Sequence, residues 1–370
     1  MDRAADADRT TQNETRLGSD EALREQIGRL LFVGLPGPIL DDPTRRTLEA
    51  LRVGGVILFR RNVDTPGQLA ALIAEIHSLP SRPLVAIDHE GGRVMRLGEP
   101  FTQFPAAAAI GRRRDADLAY RVGRAMALEL ASVGIDVNFA PVLDVDSNPA
   151  NPVIGDRAFG SEPAVVSELG LALMRGLLAG GVIPCGKHFP GHGDTVKDSH
   201  LELPVVDRSR GELERTELVP FRAAIAAGVP MLMTAHVLYP SLDGEHPATL
   251  SRKILTGILR DTLHFQGVVV SDDLEMRAIS AQQDIGGAAV ATLEAGADAL
   301  LVCQNLSQAV QAHAALERSV HSGSLAPRIV AAAAARVERL RPLRPGRGRA
   351  ACKLPNTAHR ALVADILRAT

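Results

Sequence analysis

The chain of 370 residues contains no tryptophan, and aromatic residues make up only 3% of it. That weakens any analogy with modules that stack sugars on exposed rings, so sugar recognition would have to rest on hydrogen bonds. Cysteine is scarce too. Cys185, Cys303 and Cys352 are odd in number and lack CxxC spacing, which implies neither a disulfide framework nor a thiolate metal site and fits a reducing compartment. No uninterrupted apolar run reaches membrane-spanning length, and residues 1–22 lack the apolar segment of a secretory signal. A cytoplasmic protein without membrane contact is the expectation. The formal net charge of -2 offers no basic excess for nucleic acid. Arginines do gather between Arg339 and Arg349, in a Pro- and Gly-punctuated stretch that reads as a solvated tail.

Hydrophobic residues, at 46%, are sufficient for a large core. Apolar runs suited to buried strands occur at Leu30–Gly34, Gly55–Phe59, Leu84–Ile87, Val137–Pro141, Val182–Gly186, Met231–Ala235, Val268–Ser271 and Ala299–Cys303. Helical patterns separate them, over Asp42–Leu51, Pro66–Leu79, Ala116–Val133, Pro163–Ala179, Gly211–Ala227, Ser251–Leu263 and Gln283–Ala295, with Leu306–Glu317 after the last strand. Near-continuous apolar strands alternating with helices imply a parallel sheet covered on its outer face. Eight units favour a closed (β/α)8 TIM barrel. An open sheet would carry a Gly-rich phosphate fingerprint after its first strand, which Gly34-Leu35-Pro36-Gly37 does not supply. We expect a polar arm at 1–22, a single catalytic barrel at 23–343, an extension at 344–370, and a monomer.

The polar residues fall where a barrel needs them. The third strand ends in Asp88-His89-Glu90, the fifth in Lys187-His188, the sixth in Thr234-Ala235-His236 and the seventh in Ser271-Asp272-Asp273. Barrel active sites are built from these C-terminal strand ends. Asp272 arrives at the mouth from an apolar strand, as a nucleophile, a metal ligand or a sugar-hydroxyl acceptor, while Asp273 reads as a helix cap. Residues 185–204, CGKHFPGHGDTVKDSHLELP, hold three histidines, two aspartates, a glutamate and two lysines. Such a segment must lie at a surface or cleft, because ionisable groups are not buried without partners. Asp198, two residues before His200, can orient its ring and favour the imidazolium, a state able to protonate a leaving group. Asp88 can accept from adjacent hydroxyls, and Arg157 lies on a turn after the fourth strand.

His188, His192, His200, His236 and Asp194 are numerous enough to build a metal site. Yet the HxH and HExxH spacings that aim two ligands at one ion are missing, and Lys187 opposes a cation. No metal or cofactor is expected.

Taken together, the segments GGVILFRRN, AIDHEGGRVMRL, GIDVNFAPVLDV, NPVIGDRAFG, GKHFPGHGDTVKDSHLELP, MTAHVLYP and GVVVSDDLEM resemble glycoside hydrolase family 3, on its β-N-acetylhexosaminidase branch. They follow the family's order over 54–276, and the histidine loop KHFPGHGDT…DSH is the specific mark. The resemblance implies a (β/α)8 barrel and a retaining reaction. It implies Asp272 as the nucleophile and His200 as the acid/base with Asp198 as its dyad partner. It also implies Asp88, Arg96, Arg157, Lys187 and His188 as ligands of the N-acetylglucosamine hydroxyls and acetamido group. Retaining glycosidases ordinarily hold two carboxyl groups ~5–5.5 Å apart. Here a histidine replaces one, and Gly186, Gly191 and Gly193 would give its loop the freedom of a lid. A neutral imidazole base also leaves room for phosphate as an acceptor, a phosphorylase variant. His89 stands where the family usually shows Gln, and AHRALVADIL resembles the helix that leads to a second domain in longer members.

Overall fold

The computed structural model describes residues 20–197, 199, 202–344 and 352–368. Eight parallel strands close into a barrel. They are β1 Leu31–Gly34, β2 Gly55–Leu58, β3 Leu84–Ile87 and β4 Val137–Asn138, then β5 Ile183–Phe189, β6 Met231–Thr234, β7 Val268–Asp273 and β8 Ala299–Val302. β8 pairs back onto β1, joining Leu31 to Leu300 and Val33 to Val302.

Alternation along each strand builds two cores. Phe32, Ile57, Ala86, Val137, Ile183, Met231, Val270 and Leu301 fill the barrel interior, whereas Leu31, Val33, Val56, Leu58, Val85 and Ile87 face the surrounding helices. Both sets are buried, so these strands read as continuous apolar runs rather than as alternating ones. The helices begin on capping side chains. Asp41 accepts from Thr44 N before Asp42–Leu51, Thr65 from Gln68 N before Pro66–Ser78, and Asp115 from Leu118 N before Ala116–Ser132.

Helix Pro163–Gly180 is long and apolar enough to cross a membrane. Here it packs instead along Ala116–Ser132, at close range. A Cβ at Gly123 would sit 2.3 Å from Leu173 O, and one at Gly176 2.2 Å from Tyr120 O, so only glycine admits this approach.

Two stretches depart from the sequence expectation. The helix expected over Gly211–Ala227 is broken into Arg210–Arg215 and Leu218–Ala226. Pro220 explains the break, since its ring crowds the carbonyl four residues back and it donates no N–H. The stretch Ser251–Leu263 forms a wide helix over Lys253–Thr262 of π type. Helices over 20–30 and Pro327–Glu338 complete the outer layer.

The barrel bottom is tied by two buried carboxylates in matching positions. Asp136, just before β4, accepts from Val85 N of β3 at 2.8 Å and pairs with His77 and Arg344. Asp298, just before β8, accepts from Val269 N of β7 at 2.8 Å and pairs with Arg260 and Arg336. The arginine-rich stretch is therefore no solvated tail up to Arg344: Arg341 donates to the carbonyls of Ser81 and Arg82, and Arg344 to that of Pro83. These arginines plug the strand entrances. Arg347 and Arg349 lie outside the described residues. Helix Thr357–Arg368 docks on the barrel's flank with Val363 and Ile366 buried.

Removing Asp298 would leave Arg260, which is 12% exposed, without its carboxylate. Asp298→Ala is expected to lower unfolding free energy by about 3 kcal/mol in urea denaturation. A change within experimental error would contradict the proposed role.

Candidate active site

At the C-terminal mouth of the barrel a cavity of about 190 Å³ is lined by Asp88, Glu90, Arg96, Arg157, Lys187, His188 and Asp272 among others. Its walls come from separate strands. Asp88 follows β3, and the hairpin His89–Gly91/Val94–Met95 then carries Glu90 and leads to Arg96. Lys187 and His188 lie within β5 itself, joined by a cis peptide bond. Arg157 closes a short helical turn, Gly155–Arg157, after β4. Asp272 is the penultimate residue of β7.

A continuous ion network joins these groups. Lys187 Nζ lies 2.8 Å from Asp88 Oδ1 and 2.6 Å from Glu90 Oε1. Arg157 grips Glu90 in bidentate fashion, with Nε and one terminal nitrogen each at 2.8 Å. Arg96 reaches Asp88 Oδ2 at 3.3 Å. Lys187 is 2% exposed and Glu90 7%, so each charge persists only because of the others. Burial alone would raise the Glu90 carboxyl, but Lys187 and then Arg157 outweigh it and hold it well below the usual range. Burial likewise opposes the charge on Lys187, and Asp88 and Glu90 reverse that, raising its pKa.

His188 is fixed from behind. Its Nδ1 lies 2.7 Å from Asp144 Oδ2, and Asp144 Oδ1 accepts from the backbone N–H groups of His188 and His192. Asp144 is fully buried; burial raises its carboxyl, and His188 more than offsets this, keeping it low. The Nε2 of His188 points to Arg157, 3.5 Å away.

The β7 end is held by a different device. His236 of the strand-six motif does not line the cavity: its Nδ1 meets Thr249 Oγ1 at 2.8 Å and its Nε2 the carbonyl of Asp273 at 2.9 Å. The imidazole thus anchors the backbone beside Asp272, whose own Oδ1 accepts from Asp273 N at 2.8 Å. Asp273 accepts from Glu275 N and Cys303 N, and burial, helped by Glu275 and Asp272, pushes its carboxyl up to about 7.

The structure brings Asp88, Arg96, Arg157, Lys187, His188 and Asp272 to one cavity. Asp198 and His200 lie outside the described residues. Ser199, between them, is buried, lines the cavity, and stands 3.3 Å from His192 Nε2. His192 meets Thr195 Oγ1 at 2.8 Å through Nδ1, and burial, then His188, lowers its pKa to about 4, leaving it neutral. Close packing calls for glycine in this loop: a Cβ at Gly193 would sit 1.6 Å from Val145 O, and one at Gly191, whose φ is 134°, 2.6 Å from Glu217 Cβ. Asp194 pairs with Arg208 at 2.8 Å. Among the described residues, the group whose ligand atoms come within 4.8 Å of one another is Asp243, Glu245 and His246, away from this cavity and beside Lys253.

Sequence reasoning passed over Glu90 and Asp144. Glu90 shares the Asp88-His89-Glu90 motif. Asp144 is the one carboxylate of APVLD, following the fourth strand, and was legible there as a further polar strand end.

A parallel barrel whose mouth gathers paired carboxylates and cations around a cavity offers a site for a polar, hydrogen-bonding ligand. Residues 22–340 match the glycosyl hydrolase family 3 N-terminal domain, and the chain belongs to that family, on its β-hexosaminidase branch. It is a glycoside hydrolase. A beta-hexosaminidase of Thiobacillus denitrificans is 46% identical over 282 residues, spanning 74% of this chain and 78% of that protein. The beta-hexosaminidase of Neisseria meningitidis serogroup C is 48% identical over 273 residues, 72% of this chain and 75% of its own. Among solved structures, a family 3 β-N-acetylglucosaminidase from Paenibacillus sp. str. FPU-7 superposes with a TM-score of 0.89 at 40% identity, covering 93% of this chain and 68% of that one. NagZ of Neisseria gonorrhoeae, in complex with N-trifluoroacetyl-D-glucosamine, gives 0.75 at 36% identity over 91% and 97% of the two chains.

Asp273 gives a pH-dependent prediction. Its folded pKa lies above the unfolded carboxylate value of 3.8, so the folded state binds the extra proton and stability falls as pH rises from about 4 to about 7. Asp273→Asn removes that penalty. The variant should match wild type near pH 4 and exceed it by on the order of 2 kcal/mol at pH 8 in denaturant titrations; equal stability at both pH values would refute the assignment.

Proposed function

We propose that the chain is a retaining exo-β-N-acetylglucosaminidase that removes terminal N-acetylglucosamine from glycosides such as muropeptides, acting in the cytoplasm as a monomer. The observation that carries this reading is the placement of Asp272 in the same cavity as the Lys187–Asp88–Glu90–Arg157 network. Asp88, held between Lys187 and Arg96, accepts from sugar hydroxyls; Arg96, Arg157, Lys187 and His188 complete the grip on the ring and its acetamido group. An N-acylglucosamine in the related Neisseria gonorrhoeae structure supports that class of sugar here.

In this mechanism Asp272 attacks the anomeric carbon while the glycosidic bond breaks, giving a covalent glycosyl-enzyme. His200, oriented by Asp198, donates the proton that the leaving oxygen takes. The same imidazole then removes a proton from water, which attacks the anomeric carbon and expels Asp272. Configuration is retained because the carbon is inverted twice. His236 contributes indirectly, by holding the backbone next to the nucleophile.

Asp272→Ala is expected to lower kcat on an aryl β-N-acetylglucosaminide by about ten-thousandfold, with the fold intact by circular dichroism. Near-normal turnover would end the assignment. Product analysis of wild type in phosphate buffer should give free N-acetylglucosamine; sugar 1-phosphate as main product would make the enzyme a phosphorylase.

A further inference from the structure

Glu129 is a buried carboxylate that the proposed chemistry leaves unused. It projects from the last turn of helix Ala116–Ser132, is 2% exposed, and accepts from Thr102 N at 2.8 Å and Thr102 Oγ1 at 2.6 Å. Its remaining partner comes from the far end of the chain: His359 Nδ1 lies 2.7 Å from Glu129 Oε1. Further contacts hold the same helix to the same region. Arg360 pairs with Glu99, Arg113 donates to Asp365 O at 2.9 Å, and Val363 and Ile366 are buried.

Thr102 belongs to the segment 97–105, which is packed directly on the sugar-site hairpin. Phe104 O accepts from Gly92 N at 2.8 Å, and a Cβ at Gly91 would lie 2.3 Å from Pro105 O. The Phe104 ring meets the edge of His89, with centroids 6.5 Å apart. His89 is buried, its Nδ1 has no hydrogen-bond partner, and its backbone is fixed to Asn138 through both N–H and carbonyl. The hairpin so packed presents Glu90 to Lys187 and Arg157, and it leads into Arg96.

We propose that the C-terminal helix is a positioning element of the sugar site, with His359 acting through Glu129 and Thr102 on the hairpin that holds Glu90 and Arg96. His359 touches no substrate and is a positioning residue. The proposal rests on the reading of this cavity as the N-acetylglucosamine site. Without His359, Glu129 loses a donor in a buried setting, Thr102 loses its fixed acceptor, and the hairpin loosens. Asp272 stands on β7, which pairs with β6 and β8 and not with β3. The hairpin's loosening therefore falls on ground-state sugar binding and leaves the nucleophile in place.

Two full-length variants test this, His359→Ala and His359→Gln. Hydrogen exchange without any ligand should show amides of 89–105 exchanging about tenfold faster in His359→Ala, with 268–273 unchanged. KM for an aryl β-N-acetylglucosaminide should rise about threefold to tenfold at constant kcat, once corrected for folded protein. The Gln variant, whose amide still donates to Glu129, should recover most of both effects. Unchanged exchange over 89–105, or an unchanged KM in an active His359→Ala protein, overturns the proposal; so does a loss of kcat alone. A wild type inactive on this substrate counts against the substrate reading, and the exchange experiment still decides the role of the helix.

Discussion

Everything at the barrel mouth depends on the pairing of Lys187 with two carboxylates. An ammonium group 2% exposed is tolerable only beside compensating charge, and Asp88 and Glu90 provide it at 2.8 and 2.6 Å. Glu90 in turn needs Arg157, and Asp88 takes Arg96. The set spans β3, its hairpin, the β4 loop and β5, so a shift in any one of these elements exposes or orphans a buried charge. The network therefore fixes the geometry of the cavity and holds the Glu90 carboxyl well below its usual range. It is expensive to assemble, and the opposite end of the barrel is correspondingly tied down by Asp136 and Asp298.

Those two carboxylates also explain where the end of the described barrel goes. Arg336, Arg341 and Arg344 reach under the strands to Asp298, Ser81 and Asp136. The last helix then climbs the flank to Glu129. The C-terminal helix is thus connected, through one buried acid, to the loop packed on the hairpin that carries Glu90.

Much of this was legible in sequence. A parallel strand buried on both faces has a plain apolar signature, and all eight barrel strands fall within a few residues of their expected positions. Asp272 and Lys187 announced themselves as polar residues at the ends of apolar runs. What stayed hidden depended on partners distant in sequence. Glu90 looks like an ordinary turn acid until Lys187 and Arg157 are seen around it. Asp144 shows its function only through His188, 44 residues on. His236, read as part of the active mouth, faces Thr249 and a backbone carbonyl instead. Arg341 and Arg344 looked solvated because their partners, backbone carbonyls and the distant Asp136, leave no mark beside them in the sequence. Gly191 and Gly193 read only as flexible, and the close contacts with Glu217 and Val145 that also call for glycine there could not be seen.

The central claim is that Asp272 carries the sugar during turnover, and covalent trapping addresses it most directly. The enzyme would be incubated with a fluorinated N-acetylglucosaminyl donor whose glycosyl-enzyme forms faster than it hydrolyses, then digested and sequenced by mass spectrometry. The account predicts one sugar per chain, attached to Asp272. An adduct on another residue, or none while the donor's leaving group is released in a burst, would contradict it.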